Sequence, residues 1–246
     1  MVSSMVQAMS CTTMPANSTV QKMANLSVIS GAAGIFQNTQ EIDEWRAAGN
    51  GILQSNVQPG DVRFVDRNHD GQINDKDKVN LGNGTPDFTL GLNLGFVYKG
   101  FDFSIVANGA FGQQIVQSYR NHTRPTPNYT TAILDRWHGE GTSNRIPRVT
   151  DSNINYQFSD LFIQNGDYLR LSTLTLGYDF AKLFKGKAVS QARLYFQVQN
   201  LFTITGYDGM DPEIGFGSSN NSWVSGLDYG YYPRPRTVLV GVNLKF

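Results

Sequence analysis

An all-β chain, made of antiparallel strands of a transmembrane β-barrel, is the fold class that this sequence predicts. Three observations predict it. Stretches of roughly 9–11 residues, the length that crosses a bilayer at a tilt, alternate between apolar and small or polar side chains, which is the period of a β-strand. The connections between them are short and long in turn, as in barrels with tight turns on one membrane face and long loops on the other. Aromatic residues gather at the strand ends, where interfacial girdles form. A soluble β-sandwich predicts neither of the last two features.

The closing stretch, residues 236–246, shows the alternation plainly. Val238, Val240, Val242, Leu244 and Phe246 share one face, while Thr237, Gly241, Asn243 and Lys245 share the other, with Leu239 the exception. An apolar face meets lipid and a small polar face meets the lumen. Residues 87–98 repeat the pattern with Phe88, Leu90, Leu92, Leu94, Phe96 and Tyr98 on one face. Lys99-Gly100 is a two-residue turn, and residues 101–111 alternate again, so the two strands form a tight hairpin. A long polar connection covers about 113–166, with one helical turn at 131–137. Strands follow at 168–180 and 191–202, joined by a short basic turn. A last long loop rich in Gly, Asn, Tyr and Asp runs to Pro235. One girdle gathers Tyr98, Phe101, Phe180 and Phe246, and the other Phe88, Phe111, Tyr168 and Phe202.

Composition bounds the function classes. Twenty basic and twenty acidic residues give a formal charge of zero, which makes no case for nucleic acid. No run of 18 apolar residues exists, so there is no transmembrane helix, a fact that says nothing about strands. A lone cysteine, Cys11, excludes an internal disulfide framework and a cysteine-based zinc site. His69, His122 and His138 have no metal-ligand spacing, and no catalytic triad or phosphate loop occurs. The chain therefore reads as no enzyme.

Two segments precede the first clear strand. Residues 1–33 hold most of the methionines and no periodicity; they are read as an atypical segment, disordered or mis-started at Met1, with no signal-peptide pattern. Residues 34–246 are read as one unit. Within it, residues 38–49 predict a short surface helix: Asn38 is a good N-cap, Glu41 stands at the capping-box position, Ile42 and Trp45 share a face and Gly49 ends it.

The sharpest local motif is Asp66-Arg-Asn-His-Asp-Gly-Gln-Ile-Asn-Asp-Lys-Asp77. Oxygen-bearing side chains fall at loop positions 1, 3, 5, 9 and 12: Asp66, Asn68, Asp70, Asn74 and Asp77. Gly71 supplies the sharp turn at position 6, and Gln72 a backbone carbonyl at position 7. A hard cation such as calcium takes this many oxygens at this spacing. The expected ligands are Asp66, Asn68, Asp70, Gln72, Asn74 and Asp77, with a structural role for the ion. Aspartate rather than glutamate at position 12 is the departure. The competing reading is an Asx-rich turn that satisfies itself by side-chain to backbone hydrogen bonds.

Several motifs together resemble one family. Gly34-Ile-Phe-Gln-Asn, Gly60-Asp-Val-Arg-Phe-Val-Asp-Arg-Asn-His-Asp-Gly-Gln-Ile, Gly82-Asn-Gly-Thr-Pro-Asp-Phe, Tyr168-Leu-Arg-Leu-Ser-Thr-Leu-Thr-Leu-Gly-Tyr, Gln199-Asn-Leu-Phe-Thr-Ile-Thr and Tyr232-Pro-Arg-Pro-Arg-Thr are similar to the C-terminal part of the SusC/RagA family of TonB-dependent outer-membrane transporters of Bacteroidetes. The resemblance covers about residues 34–246. It implies a twenty-two-stranded barrel of which this chain supplies the last strands, with the plug, TonB box and signal peptide absent. It implies import of glycans or peptides, driven through TonB–ExbB–ExbD acting on the missing plug. It implies a SusD-like lipoprotein over the outer mouth, outer-membrane lipid around the wall, and Phe246 read by the barrel-assembly machinery. By parity from Phe246, the 66–77, 113–166 and 203–235 segments lie outside the cell. Substrate-contact candidates on those loops are Trp137, Tyr207, Trp223, Tyr229, Tyr231 and Tyr232; for each alone, ordinary loop packing competes. Two other readings are a soluble carbohydrate-binding β-module with a structural calcium loop, and a structural surface protein with no lumen. A fragment of five or so strands cannot close, so an open, curved antiparallel sheet is expected.

Overall fold

The computed structural model describes residues 3–13, 25–29, 33–120, 131–150, 155, 157–181, 190–214 and 226–245. Phe246 and Trp223 lie outside the described residues. The strands are β1 (Ser3–Thr13), β2 (Asn25–Ile29), β3 (Lys78–Asn83), β4 (Phe88–Tyr98), β5 (Phe101–Phe111), β6 (Gln114–Gln117), β7 (Ile163–Asn165), β8 (Tyr168–Asp179), β9 (Gln191–Thr205), β10 (Leu227–Asp228) and β11 (Thr237–Lys245), with one helix, α1 (Thr39–Ala47). The principal sheet has six strands in the order β1-β4-β5-β8-β9-β11, every pair antiparallel. Among the described residues neither β1 nor β11 has a second neighbour, so the sheet is open, as a piece of a barrel must be.

Register carries the alternation across strands. Phe96, Phe103, Leu176, Phe196 and Val240 stand in one transverse row. Leu94, Ile105, Leu174, Val198 and Val238 form the next. This face is apolar and largely turned outward: Val240 is 70% exposed, and Leu94, Phe96, Leu176, Leu194, Phe196, Val238, Val242 and Leu244 are exposed as well. Exposed aliphatics in contiguous rows cost heavily in water and nothing in hydrocarbon.

The opposite face is small and polar. Asp102, Gly177, Tyr195 and Gly241 stand in one row. The Arg193 guanidinium on β9 reaches across β8 to Asp102 on β5, with Nε 2.7 Å from Oδ1 and a second bond from its terminal nitrogen to Oδ2. The bridge passes over Gly177, where an added Cβ would lie 2.7 Å from Arg193 Nε. Arg193 also sits over the Tyr195 ring, 5.0 Å from its centroid, and that ring fills the space left by Gly241. Gly177 and Gly241 are therefore clearances for long side chains lying across the strands.

Both ends of the sheet match the expected connections. At one end Lys99 and Gly100 both adopt positive φ, 49° and 96°, which suits a two-residue hairpin turn of primed type. Tyr98 and Phe101 pair there, and Phe101 packs on Tyr178 at 4.3 Å between ring centroids, with Phe180 edge-on to Tyr178 at 4.6 Å. At the other end Phe88 stacks on Phe111 at 4.7 Å, and all three long connections, 33–87, 112–167 and 206–236, leave from this side. Tyr168 departs from the expected second girdle. It is buried on the polar face, beneath Arg170 and bonded by Asn108, because the strand it opens changes phase.

That phase change is a pair of β-bulges. Between Leu171 and Thr173, β8 carries an extra residue, Ser172, relative to β5, while β9 carries one extra residue against β8 beside Asn200, which has φ of 52°. An extra residue flips the facing of every later residue in the strand. Leu169 and Leu171 therefore join Leu174 and Leu176 on the apolar face, and Tyr168 and Arg170 turn inward.

The loop side is a small layered module. Phe36, Ile42 and Val57 are buried together, with Trp45 and Ile52 packed against them. The Asn38 side chain accepts from Glu41 N and caps α1, as its position predicts. The Glu41 carboxylate closes the cap one residue earlier than expected, accepting from Gln37 N at 2.9 Å. Three short strands, β6, β7 and β10, form a second sheet inside what reads from sequence as irregular loop. The helical turn expected at 131–137 is a 3-10 turn at Thr131–Asp135. Within the N-terminal segment, where periodicity marks no element, the β1 backbone pairs with β4 and β2 with β3.

Gly177→Val forces the Asp102–Arg193 bridge aside. Overpacking of this kind costs about 1–3 kcal/mol, so the protein in detergent micelles should unfold at lower urea than the parent, whereas Gly139→Ala, with open space at its Cβ, should not.

Candidate functional site

Two loop regions hold the residues singled out by the sequence. The first is the acidic loop. Asp66 is 1% exposed and Asp77 0%. Asp66 Oδ2 accepts from Gly71 N at 2.8 Å and Gly51 N at 3.1 Å. Asp77 Oδ1 accepts from Arg67 N and its Oδ2 from Asn74 N, at 2.9 and 2.8 Å. The two carboxylates thus lie against the same stretch of backbone, one at each end of the motif. Gly71 has φ of 79°, the left-handed turn expected of position 6, and His69 has φ of 57°. Asn68 Oδ1 accepts from Asp70 N, Asn68 Nδ2 donates to Asp70 Oδ2, and Asp70 Oδ1 accepts from Gln72 N. The Asn68 side chain holds the Asp70 carboxyl below its ordinary value. Asn74 caps the 3-10 turn Asp75–Asp77 in a reciprocal box with Asp77. Among the described residues no three His, Cys, Asp or Glu side chains are gathered to hold a metal ion.

The second region is the aromatic loop after β9. Tyr207, expected among substrate contacts, is buried: its hydroxyl donates to Asp228 Oδ2 at 2.5 Å. Burial first, then the Asp228 carboxylate, pushes that hydroxyl up from its ordinary value. Asp228 Oδ1 in turn accepts from Gly230 N and Tyr231 N, at 2.8 and 3.3 Å. The carboxylate so fixes the turn that presents Tyr229, Tyr231 and Tyr232. These three are exposed, Tyr232 by 86%, and Tyr229 and Tyr231 meet edge-on at 6.4 Å. Trp137 is elsewhere and half-buried, its indole Nε1 donating to Gln37 Oε1 at 3.2 Å and its ring lying over Gly60. The structure therefore brings together Tyr229, Tyr231 and Tyr232, supported by Tyr207, and does not bring Trp137 to them.

An ion network that composition does not announce ties this loop to the wall. Arg170, on β8, is buried and donates to Thr203 Oγ1 at 2.9 Å, Glu213 Oε2 at 2.9 Å and Asp211 Oδ1 at 2.5 Å. Arg234 pairs with Glu213 at 3.0 Å, and its backbone N–H donates to Asp211 Oδ2 at 3.2 Å. The available signal was the single Arg between leucines in Tyr168-Leu-Arg-Leu171, since a charge on an apolar strand needs buried partners. A further polar pocket of about 240 Å³ lies beside the Asp61–Arg148 ion pair, bordered by Gln54, Asn56 and Asn155; none of its lining side chains is aromatic.

Arg170→Met leaves Asp211 and Glu213 without the cation that they share. Breaking a buried pair from one side costs about 3–5 kcal/mol, so limited proteolysis should cut within 206–214 in the variant and spare the parent. Tyr207→Phe removes the donor to Asp228 and should cost about 1–3 kcal/mol near neutral pH. The Tyr207 contribution is complete below the unfolded hydroxyl value of 10.0 and is lost as pH rises through the raised folded value. The stability gap between parent and variant should therefore narrow above about pH 10.

No family model matches the chain. Among curated relatives, a TonB-dependent receptor of Formosa agariphila is 34% identical over 209 residues, 80% of this chain and 20% of the relative. TonB-dependent receptor SusC of Bacteroides thetaiotaomicron is 31% identical over 197 residues, 79% of this chain and 18% of the relative. The chain thus spans about a fifth of the length of the curated relatives it matches. Among solved structures, the RagAB peptide transporter superposes with a TM-score of 0.64 at 21% identity, over 90% of this chain and 23% of that one; this is a likeness of fold. The relatives named are receptors and a transporter, none an enzyme. With the wall, its alternating faces and these relatives in agreement, the chain belongs to the SusC/RagA family of TonB-dependent receptors.

Proposed function

We propose that this chain forms the last strands of the wall, and the adjoining outer loops, of an outer-membrane importer of oligosaccharides or peptides. The observation that carries the reading is the two-faced sheet. Its outward rows of exposed Phe, Leu and Val suit lipid, and its inward rows of Gly, Ser, Thr, Gln and a bridged Asp–Arg pair suit a wet lumen. The three long connections leave from one end, which by this reading is the outer mouth. There a SusD-like lipoprotein would cover them, and Tyr229, Tyr231 and Tyr232 would stack on a sugar or a peptide side chain. Energy would come through TonB–ExbB–ExbD acting on a plug supplied by residues other than these, and Phe246 would be the signal to the assembly machinery. A soluble carbohydrate-binding module is the competing reading. It requires polar strand exteriors, and the exposed Val238, Val240 and Val242 argue against it.

The test is uptake in cells. Deletion of the gene that carries this chain should abolish growth on at least one member of a panel of oligosaccharides and peptides supplied as sole carbon source, and depletion of TonB should reproduce the loss. Unchanged growth across the panel, or release of the protein from membranes by salt without detergent, would sink the reading.

A further inference from the structure

We infer that the Asp66–Asp77 loop is a calcium seat whose ion holds the loop module in shape. Nothing in the transport reading requires this, and the support for it is separate. Asp66 and Asp77 are both buried, and among the described residues neither pairs with an Arg, Lys or His side chain; the ion pair at this loop joins Lys78 to the exposed Asp75 at 2.7 Å. Burying two carboxylates without a cation is costly, and proteins ordinarily pair such groups or place a metal between them. The second observation is a single atom. Asp66 Oδ1 is fully buried and has no hydrogen-bond partner, although Oδ2 of the same carboxylate accepts two backbone N–H groups. One oxygen is thus held by the turn, through Gly71, and the other is left open on the loop that carries every remaining acceptor.

The chemistry of those acceptors selects the ion. Besides Asp66 and Asp77 they are the Asn68 and Asn74 amide oxygens, the Asp70 carboxylate and the Gln72 carbonyl, all oxygen, with no sulfur and no imidazole among the expected ligands. Hard cations take such sets, and six or more oxygens on a flexible loop suit calcium better than magnesium, which demands a near-ideal octahedron. The side chains are not gathered into a three-carboxylate cluster, so binding must recruit the amides and release the bond between Asn68 Nδ2 and Asp70 Oδ2. What the ion would stabilise is explicit. Asp66 also accepts from Gly51 N, Gly51 O accepts from the Trp45 indole at 3.3 Å, and Trp45 packs on the Phe36–Ile42–Val57 core.

The experiment uses the intact receptor that contains this chain, purified in detergent and stripped with EGTA. Calcium alone is titrated by calorimetry, and terbium is titrated with excitation of tryptophan, since Trp45 stands one residue contact from the loop. The expected result is one saturable site of this kind, terbium emission displaced by calcium, and a rise in the melting temperature of the loop module. Asp66→Asn should abolish binding. Because that variant also weakens the apo loop, Asp70→Asn is the second: Asp70 is exposed, so apo melting should fall less than in Asp66→Asn while calcium affinity falls at least tenfold. Absence of saturable binding in the parent, or identical affinity in Asp70→Asn and parent, would overturn the proposal and leave the loop an Asx-rich turn closed by its own hydrogen bonds.

Discussion

Hydrocarbon offers nothing for a peptide group to hydrogen-bond, and this constraint organises the whole chain. Every strand that crosses must find its partners in neighbouring strands, which yields the long antiparallel ladders from β4 through β11. The ladder imposes period two on the side chains, so one face can be given to lipid and the other to water. Everything else in the wall keeps that division intact. Where the chain inserts a residue at Ser172, a compensating bulge in β9 beside Asn200 keeps the two strands in step, and leucines of both parities stay on the apolar face.

The polar face is governed by clearance rather than by burial. Two long side chains lie across the strands where a neighbour has no Cβ, at Gly177 beneath the Asp102–Arg193 bridge and at Gly241 beside Tyr195. The same economy anchors the loops. Arg170 uses three donors on three partners and fixes the 211–213 stretch to β8. Asp228 uses one oxygen on Tyr207 and the other on the backbone of the tyrosine-bearing turn. Both anchors leave the outward tips free while determining where they start.

Much of this was legible in the sequence, and what was not has physical reasons. The strands β4, β5, β8, β9 and β11, the Lys99-Gly100 turn and the Asn38 cap announce themselves, because each is a local pattern with a local cause, whereas β1, eleven residues long, carries no alternation to announce it. The strand β9 runs three residues past its expected end because the bulge hides the continuing alternation at Phe202 and Ile204. The strands β6, β7 and β10 are two to four residues long, too short to display any period. Tyr207 looked like its exposed neighbours, since only a buried carboxylate 21 residues further on distinguishes it. Tyr168 was assigned to the girdle from its place at a strand end, and the bulge turns it to the polar face.

Among the described residues, two clusters of charge are neutral sets. Arg193 is matched by Asp102, and Arg170 with Arg234 by Asp211 with Glu213. Opposite charges a few ångströms apart form dipoles whose potential dies away well within a Debye length of about 8 Å. These two sets therefore neither concentrate nor repel ions beyond their immediate surroundings. If this arc lines an import path, as proposed, these residues would discriminate by shape and by the directions of hydrogen bonds rather than by net charge.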